Sequence, residues 1–148
     1  DGALSTAVAT GSNFGVLYLD MDGFKSINDR FGHNVGDEVL CEASARIRSV
    51  VRADDIVVRM GGDEFAIFVP DSPDRNALVA LSERLLAAFR TPFAVDGVSI
   101  FAKLSIGAAL APHDGATRAL LLRNVDSALY QAKAAGRDRV AVFNVLDA

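Results

Sequence analysis

A glycine pair between two apolar runs of strand length constrains this chain more than any other feature. Ile56-Val57-Val58 and Phe65-Ala66-Ile67-Phe68-Val69 flank the segment Arg59-Met60-Gly61-Gly62-Asp63-Glu64. Two such runs joined by Gly-Gly read as a β-hairpin. The glycines permit positive φ and leave room for another molecule to approach the backbone. Asp63 and Glu64 follow at once. Paired carboxylates on a tight turn suit a divalent cation, and a cation suits a phosphate-bearing substrate. Alone the pattern is weak, because most such turns are simply solvated hairpins.

A second acidic cluster adds weight. Phe14-Gly15-Val16-Leu17-Tyr18-Leu19 is an apolar run of strand length, and Asp20-Met21-Asp22-Gly23 ends it. Asp and Gly also terminate strands with no further role. Two acidic strand ends in one small chain are harder to dismiss. If the two strands are neighbours in one sheet, Asp20, Asp63 and Glu64 converge on the same ions.

The remaining pattern predicts an α/β (α+β) domain, one sheet packed against helices. Residues 24–31 read as a short helix and 36–52 as a longer one with Leu40, Ala43, Ile47, Val50 and Val51 on one face. Cys41 falls in that amphipathic pattern and reads as a small packing residue. Residues 70–74 are a loop, Asp74 caps a helix running to Phe89, and Thr91-Pro92 breaks it. Residues 98–110 read as one strand, with Gly107 a bulge or a point of close packing. Thr117 caps the last helix, which buries Leu121, Val125, Leu129 and Ala132. Gly136 ends that helix, and Val140 to Phe143 form an edge strand.

The length of 148 residues suits a single domain, and a hydrophobic share of 51% excludes a disordered tail. The net charge of −4 argues against a nucleic-acid polymer as partner. The single cysteine rules out an internal disulfide and any multi-cysteine zinc site. No apolar run is long enough to span a membrane, and residues 1–13 lack the features of a signal peptide. A cytoplasmic location, including that of a cytoplasmic domain in a membrane-anchored protein, is the expectation, with no membrane contact by this domain.

Taken in order, Asp20-Met21-Asp22-Gly23-Phe24-Lys25, Asn28-Asp29, Gly32-His33, Gly36-Asp37 and Arg59 to Phe65 resemble the GGDEF family of diguanylate cyclases. Ser105-Ile106-Gly107 and Tyr130-Gln131-Ala132-Lys133-Ala134-Ala135-Gly136-Arg137 fit the same pattern. The similarity runs over roughly residues 14–143. It implies a palm-like nucleotidyl cyclase fold with a central, mostly antiparallel sheet flanked by helices. It divides the chain into a partial N-terminal lead-in at 1–13 and a GGDEF domain at 14–148. The family usually carries a longer preceding helix opened by a D-x-L-T-G-L-x-N-R motif. This sequence lacks that motif, so a shortened or incomplete domain is expected.

The resemblance also implies chemistry. Such enzymes join two GTP molecules into cyclic di-GMP across a homodimer and release two pyrophosphates. Asp20, the backbone carbonyl of Met21, Asp63 and Glu64 are the implied ligands of two Mg²⁺ per active site, with Mn²⁺ an alternative. Asp63 and Glu64 are the implied catalytic residues, Asp63 helping to deprotonate the 3′-hydroxyl. Gly61 and Gly62 let the backbone lie against the nucleotide. Asn28 and Asp37 match the guanine-recognising positions: a carboxylate accepts from N1–H and N2–H₂, and an amide bonds the other edge. Without the resemblance, Asn28 reads as ending one helix and Asp37 as starting the next. Lys133 and Arg137, four apart on the last helix, share a face and match the phosphate contacts. Arg52 and Asp55 form an R-x-x-D pair just ahead of the glycines, the placement of an inhibitory product site.

A different class of function stays open. Asp20 to Lys25, Thr91-Pro92-Phe93 and Pro112-His113-Asp114-Gly115 resemble GGDEF domains that precede a cyclic di-GMP phosphodiesterase (EAL) domain. A domain of that kind, tethered to sensory or EAL domains, can be a catalytically silent binder of GTP or cyclic di-GMP. Intact acids and guanine-site matches favour the enzyme.

Overall fold

Residues 14–21 are apolar at nearly every position because the strand they form, β1 (Phe14–Met21), is buried on both faces. Its neighbours settle the architecture. In a computed structural model that describes residues 13–70 and 73–144, five strands lie in the order β2-β3-β1-β6-β7. β1 pairs antiparallel with β3 (Glu64–Val69) and with β6 (Leu104–Ala111). β2 (Ile56–Gly61) closes the expected hairpin on β3, and β7 (Arg139–Val142) runs parallel to β6. The sheet is therefore mostly antiparallel, as expected. The lead-in expected at 1–13 lies outside the described residues except for Asn13, and so do positions 71–72 of the 70–74 loop.

Strand alternation distributes the core over two layers. Leu17, Leu19, Phe65, Ile67 and Ile106 face α2 (His33–Val50) and α3 (Arg75–Arg90). Phe14, Val16, Ala109 and Ala111 face α4 (Arg118–Ala134), which contributes Leu121, Val125 and Ala128. The caps behave as read: Asp74 accepts from Ala77 N at 2.7 Å, and Thr117 Oγ1 from Leu120 N at 3.2 Å. Arg46 ties α2 to the end of α3, donating to the carbonyls of Ala88, Thr91 and Pro92 and lying over the Phe93 ring.

Several details differ from the sequence reading. The second helix starts at His33, because Gly32 at φ 92 turns α1 (Phe24–Phe31) straight into α2. Cys41 is exposed: the buried stripe of α2 is Val39, Leu40, Ala43 and Ile47, and the helical twist carries residue 41 off it. Residues 98–110 are not one strand. β5 (Val98–Ile100) pairs with β4 (Phe93–Val95) in a separate hairpin, and β6 begins only at Leu104. Positive φ at both Asp96 (50°) and Gly97 (76°) builds the turn of that hairpin.

Gly107 proves to be a point of close packing, with strand register unbroken through it. A Cβ there would overlap Leu129 N and stand 2.6 Å from Val125 O. Both obstacles are backbone of α4, so neither can swing aside. Gly107→Ala is expected to destabilise the fold by about 3 kcal/mol, the upper end of the range for overpacking. Chemical denaturation measures this, and an unchanged midpoint would show that α4 can lift off the sheet freely.

Candidate functional site

The end of the central strand assembles the acids. Asp20 lies opposite Glu64 on β3 and opposite Ser105 on β6. Met21 N donates to Asp63 O at 3.2 Å, which fixes the hairpin tip beside the strand end. The hairpin register shifts between Arg59 and Gly61, and Arg59 Nε donates to Gly62 O at 3.2 Å across the turn. The condition set by the sequence is met: the two acidic strand ends are neighbours in one sheet.

Asp63 is half-buried. Burial raises its carboxyl above the ordinary range, and the adjacent Asp20 raises it further through charge repulsion and a shared hydrogen bond. Asp20 is itself engaged by the Lys133 ammonium from α4. Glu64 is exposed at the start of β3.

Asp22 organises the adjoining loop. Its carboxylate accepts from Ser105 Oγ at 2.7 Å and from Asp138 N at 3.1 Å, and Arg137 Nε lies 3.8 Å away. Its own N–H donates to Lys103 O at 2.8 Å. Lys133 and Arg137 do not share a helix face as the spacing suggested. α4 stops at Ala134, where Arg137 N donates to Ala132 O and Gly136 N to Lys133 O, a Schellman ending. Arg137 sits past this stop at φ 63. The two cations still converge, since Lys133 meets Asp20 and Arg137 meets Asp22. The sequence reading overlooked Ser105 and Asp138 as partners of Asp22, and no local spacing signals them.

α1 follows directly on the Asp20–Gly23 segment and carries Asn28, half-buried, while Asp37 is exposed in the first turns of α2. The Asn28 side chain lies against Gly36, the residue before Asp37. Arg52 and Asp55 are held apart from the acids in a tight turn: Arg52 N donates to Asp55 Oδ2 at 2.8 Å, and Asp55 N to Arg52 O at 3.1 Å. Both line a cleft of about 170 Å³ together with Arg84 of α3. Sequence reasoning missed Arg84, because nothing in α3 marks one surface arginine out from the rest.

Among the described residues, no three His, Cys, Asp or Glu side chains stand close enough to cage a metal ion. The donor chemistry nevertheless suits a hard divalent cation. Asp20, Asp63 and Glu64 offer only oxygen at adjacent strand ends, Asp63 is under like-charge repulsion, and Lys133 already lends Asp20 one positive charge. Among the described residues no helix is long and apolar enough to cross a membrane.

The chain is similar in sequence and in fold to several known proteins. The sequence model of the family described as "Diguanylate cyclase, GGDEF domain" matches residues 1–139. MucR of Pseudomonas aeruginosa, a bifunctional diguanylate cyclase/cyclic di-GMP phosphodiesterase, is 40% identical over 141 residues, covering 95% of this chain and 20% of MucR. The chain thus spans about a fifth of the length of such curated relatives. The crystal structure of the GGDEF domain of TpbB from Pseudomonas aeruginosa superposes with a TM-score of 0.92 at 36% identity, covering 97% of this chain and 90% of that one. The GGDEF domain of DgcB from Caulobacter crescentus, solved in complex with c-di-GMP, gives 0.87 at 26% identity, over 96% and 84%.

Proposed function

Since the chain belongs to the GGDEF-domain diguanylate cyclase family, we propose that it condenses two GTP molecules into cyclic di-GMP, each held by one copy of a homodimer. The observation that carries this reading is the arrival of Asp20, Asp63 and Glu64 at neighbouring strand ends, with Asp63 held above its ordinary carboxyl range by burial and by Asp20. In each half-reaction a 3′-hydroxyl oxygen bonds to the α-phosphorus of the other GTP, the bond to pyrophosphate breaks, and the hydroxyl proton departs. Asp63, at the hairpin tip beside the end of β1, is the acceptor for that proton, helped by the acidifying metal ions. Lys133 and Arg137 hold the phosphates, and Asp22 keeps Arg137 in place. Gly61 and Gly62 leave the hairpin open to the nucleotide, while Asn28 and Asp37 read guanine. Asp20, the Met21 carbonyl, Asp63 and Glu64 would hold two Mg²⁺, or Mn²⁺. When bound, these ions stabilise phosphate charge and acidify the 3′-hydroxyl.

The cleft with Arg52, Asp55 and Arg84 supports feedback: two arginines suit phosphate, and Asp55 suits a guanine edge. The domain would act inside a larger cytoplasmic signalling protein, tethered to sensory or EAL domains. The test is chromatography of the products after the chain, fused to a dimerising coiled coil, is incubated with GTP and Mg²⁺. Cyclic di-GMP is expected, with synthesis slowing as product accumulates in the parent and not in Arg52→Ala. Intact GTP from folded, dimeric protein would overturn the enzyme reading in favour of a regulatory domain that binds GTP or cyclic di-GMP.

A further inference from the structure

Gly36 is a glycine whose backbone freedom is not used. It lies inside α2, donates normally to Gly32 O at 3.1 Å, and is absent from the glycines with positive φ. Alanine is the better helix former at such a position. The reason for glycine is therefore space. A Cβ on Gly36 would overlap Asn28 Oδ1 and stand 3.0 Å from Asn28 Cγ and 3.3 Å from Phe24 Cζ. Gly36 itself is buried, whereas Asn28 is half-buried and Asp37, next in sequence, is exposed. Among the described residues, no hydrogen bond anchors the Asn28 side-chain amide. Its position is set by packing alone.

We propose that Gly36 is a positioning residue for base recognition: the missing side chain is the slot that holds the Asn28 amide beside Asp37 and so sets a preference for guanine over adenine. This rests on the reading of Asn28 and Asp37 as the guanine contacts. An amide presents both a donor and an acceptor, so residue type alone does not choose between the two purines. Guanine and adenine expose opposite groups on the same edge, and the placement of the amide decides which one it fits. The severe clash from a Cβ falls on the end of the flexible Asn28 side chain, the Phe24 ring need give only a few tenths of an ångström, and no backbone is met. The helix can therefore absorb Gly36→Ala by letting Asn28 swing out, leaving the acids at the end of β1 untouched.

The experiment is equilibrium dialysis of the full chain with GTP and with ATP in Mg²⁺, for the parent, Gly36→Ala, Asn28→Ala and the double variant. Gly36→Ala is expected to weaken GTP about tenfold, the loss from one displaced hydrogen-bonding group, and to leave ATP within about twofold. The preference for GTP therefore falls about tenfold. Because Gly36 acts only through Asn28, adding Gly36→Ala to Asn28→Ala should cost nothing further. The melting temperature should hold or rise, which separates this loss from unfolding. Unchanged preference in Gly36→Ala, or fully additive losses in the double variant, would overturn the proposal. A parent that binds neither nucleotide would sink the GTP reading and this inference together. The NMR signal of the Asn28 side-chain amide in nucleotide-free protein tells the two apart. It should shift in Gly36→Ala, and an unmoved signal would dispose of the slot even where GTP binds well.

Discussion

Asp63→Asn is expected to cut GTP turnover about 10²–10⁴-fold, the usual weight of a general base, while raising the melting temperature of the metal-free protein at neutral pH. Both halves follow from one arrangement. The Asp63 carboxyl is half-buried beside Asp20, and it is raised first by that burial and then by the neighbouring charge. Sharing a site with another carboxylate is useful for drawing cations and protons, and unfavourable for the fold itself. An amide keeps the shape, drops the charge and can donate to Asp20. The pH dependence has a definite sign. A carboxyl raised in the folded state takes up its proton more readily there than in the unfolded chain. The stability from that uptake is fully present below the unfolded value and is lost as pH rises through the folded one. The thermal gain of the variant should therefore be seen at neutral pH and fade as pH falls towards about 4, the ordinary carboxylate value. Turnover within tenfold of the parent would remove Asp63 from the chemistry. A lower melting temperature at neutral pH would contradict the repulsion.

Arg75→Leu is expected to destabilise the fold by about 3 kcal/mol, the low end of what stranding one partner of a buried ion pair costs, because Asp114 is buried while the Arg75 side chain is 37% exposed. Arg75 clasps Asp114 with two bonds of 2.7 Å and also donates to Phe143 O at 3.2 Å. Asp114 is 2% exposed and accepts a further bond from Leu110 N at 2.8 Å. The guanidinium is held above its already high range chiefly by these bonds. Losing Arg75 leaves the Asp114 carboxylate without its counter-charge in a buried position. For a domain of this size the melting temperature should fall by roughly 10 °C. Arg75→Lys should recover only part of that, because a point charge cannot grip both oxygens. The double variant Arg75→Leu/Asp114→Leu should recover most of it, since no charge is then left unpaired. A double variant as unstable as the single would mean that the loss lies in packing and not in charge.

Local signals made much of this molecule legible. The Gly61-Gly62 hairpin, the Asp74 and Thr117 caps and the Gly136 stop each depend on residues a few positions apart, and each stands where the sequence placed it. The β4–β5 hairpin was missed although its signal was present. Asp96-Gly97 is a strong two-residue turn, but the flanking runs are only three residues long, and the apolar pattern of the second continues into the strand beyond it. Cys41 was misjudged because an apolar residue on an amphipathic helix is not thereby on its apolar face. The site divided along the same line. Its acids sit at strand ends that sequence can locate. Lys133 on Asp20, Ser105 on Asp22 and Arg84 beside Arg52 depend on which elements the fold brings together, and no spacing along the chain encodes that.

The strand order has a consequence for how the chain acquires its shape. β1 precedes every other strand of the sheet in the chain and lies at its centre, yet one of its two partners is β6, with Phe14 paired to Ala111. The β1–β3 pairing can form as soon as residue 69 is available. The other edge of β1 must wait for a strand that arrives only after α3 and a second hairpin. Contacts this distant along the chain slow folding relative to a helical bundle of equal length, because loop closure precedes any gain from pairing. A nascent chain halted before Leu104 would present an apolar strand with one edge open, the kind of surface that aggregates or recruits chaperones.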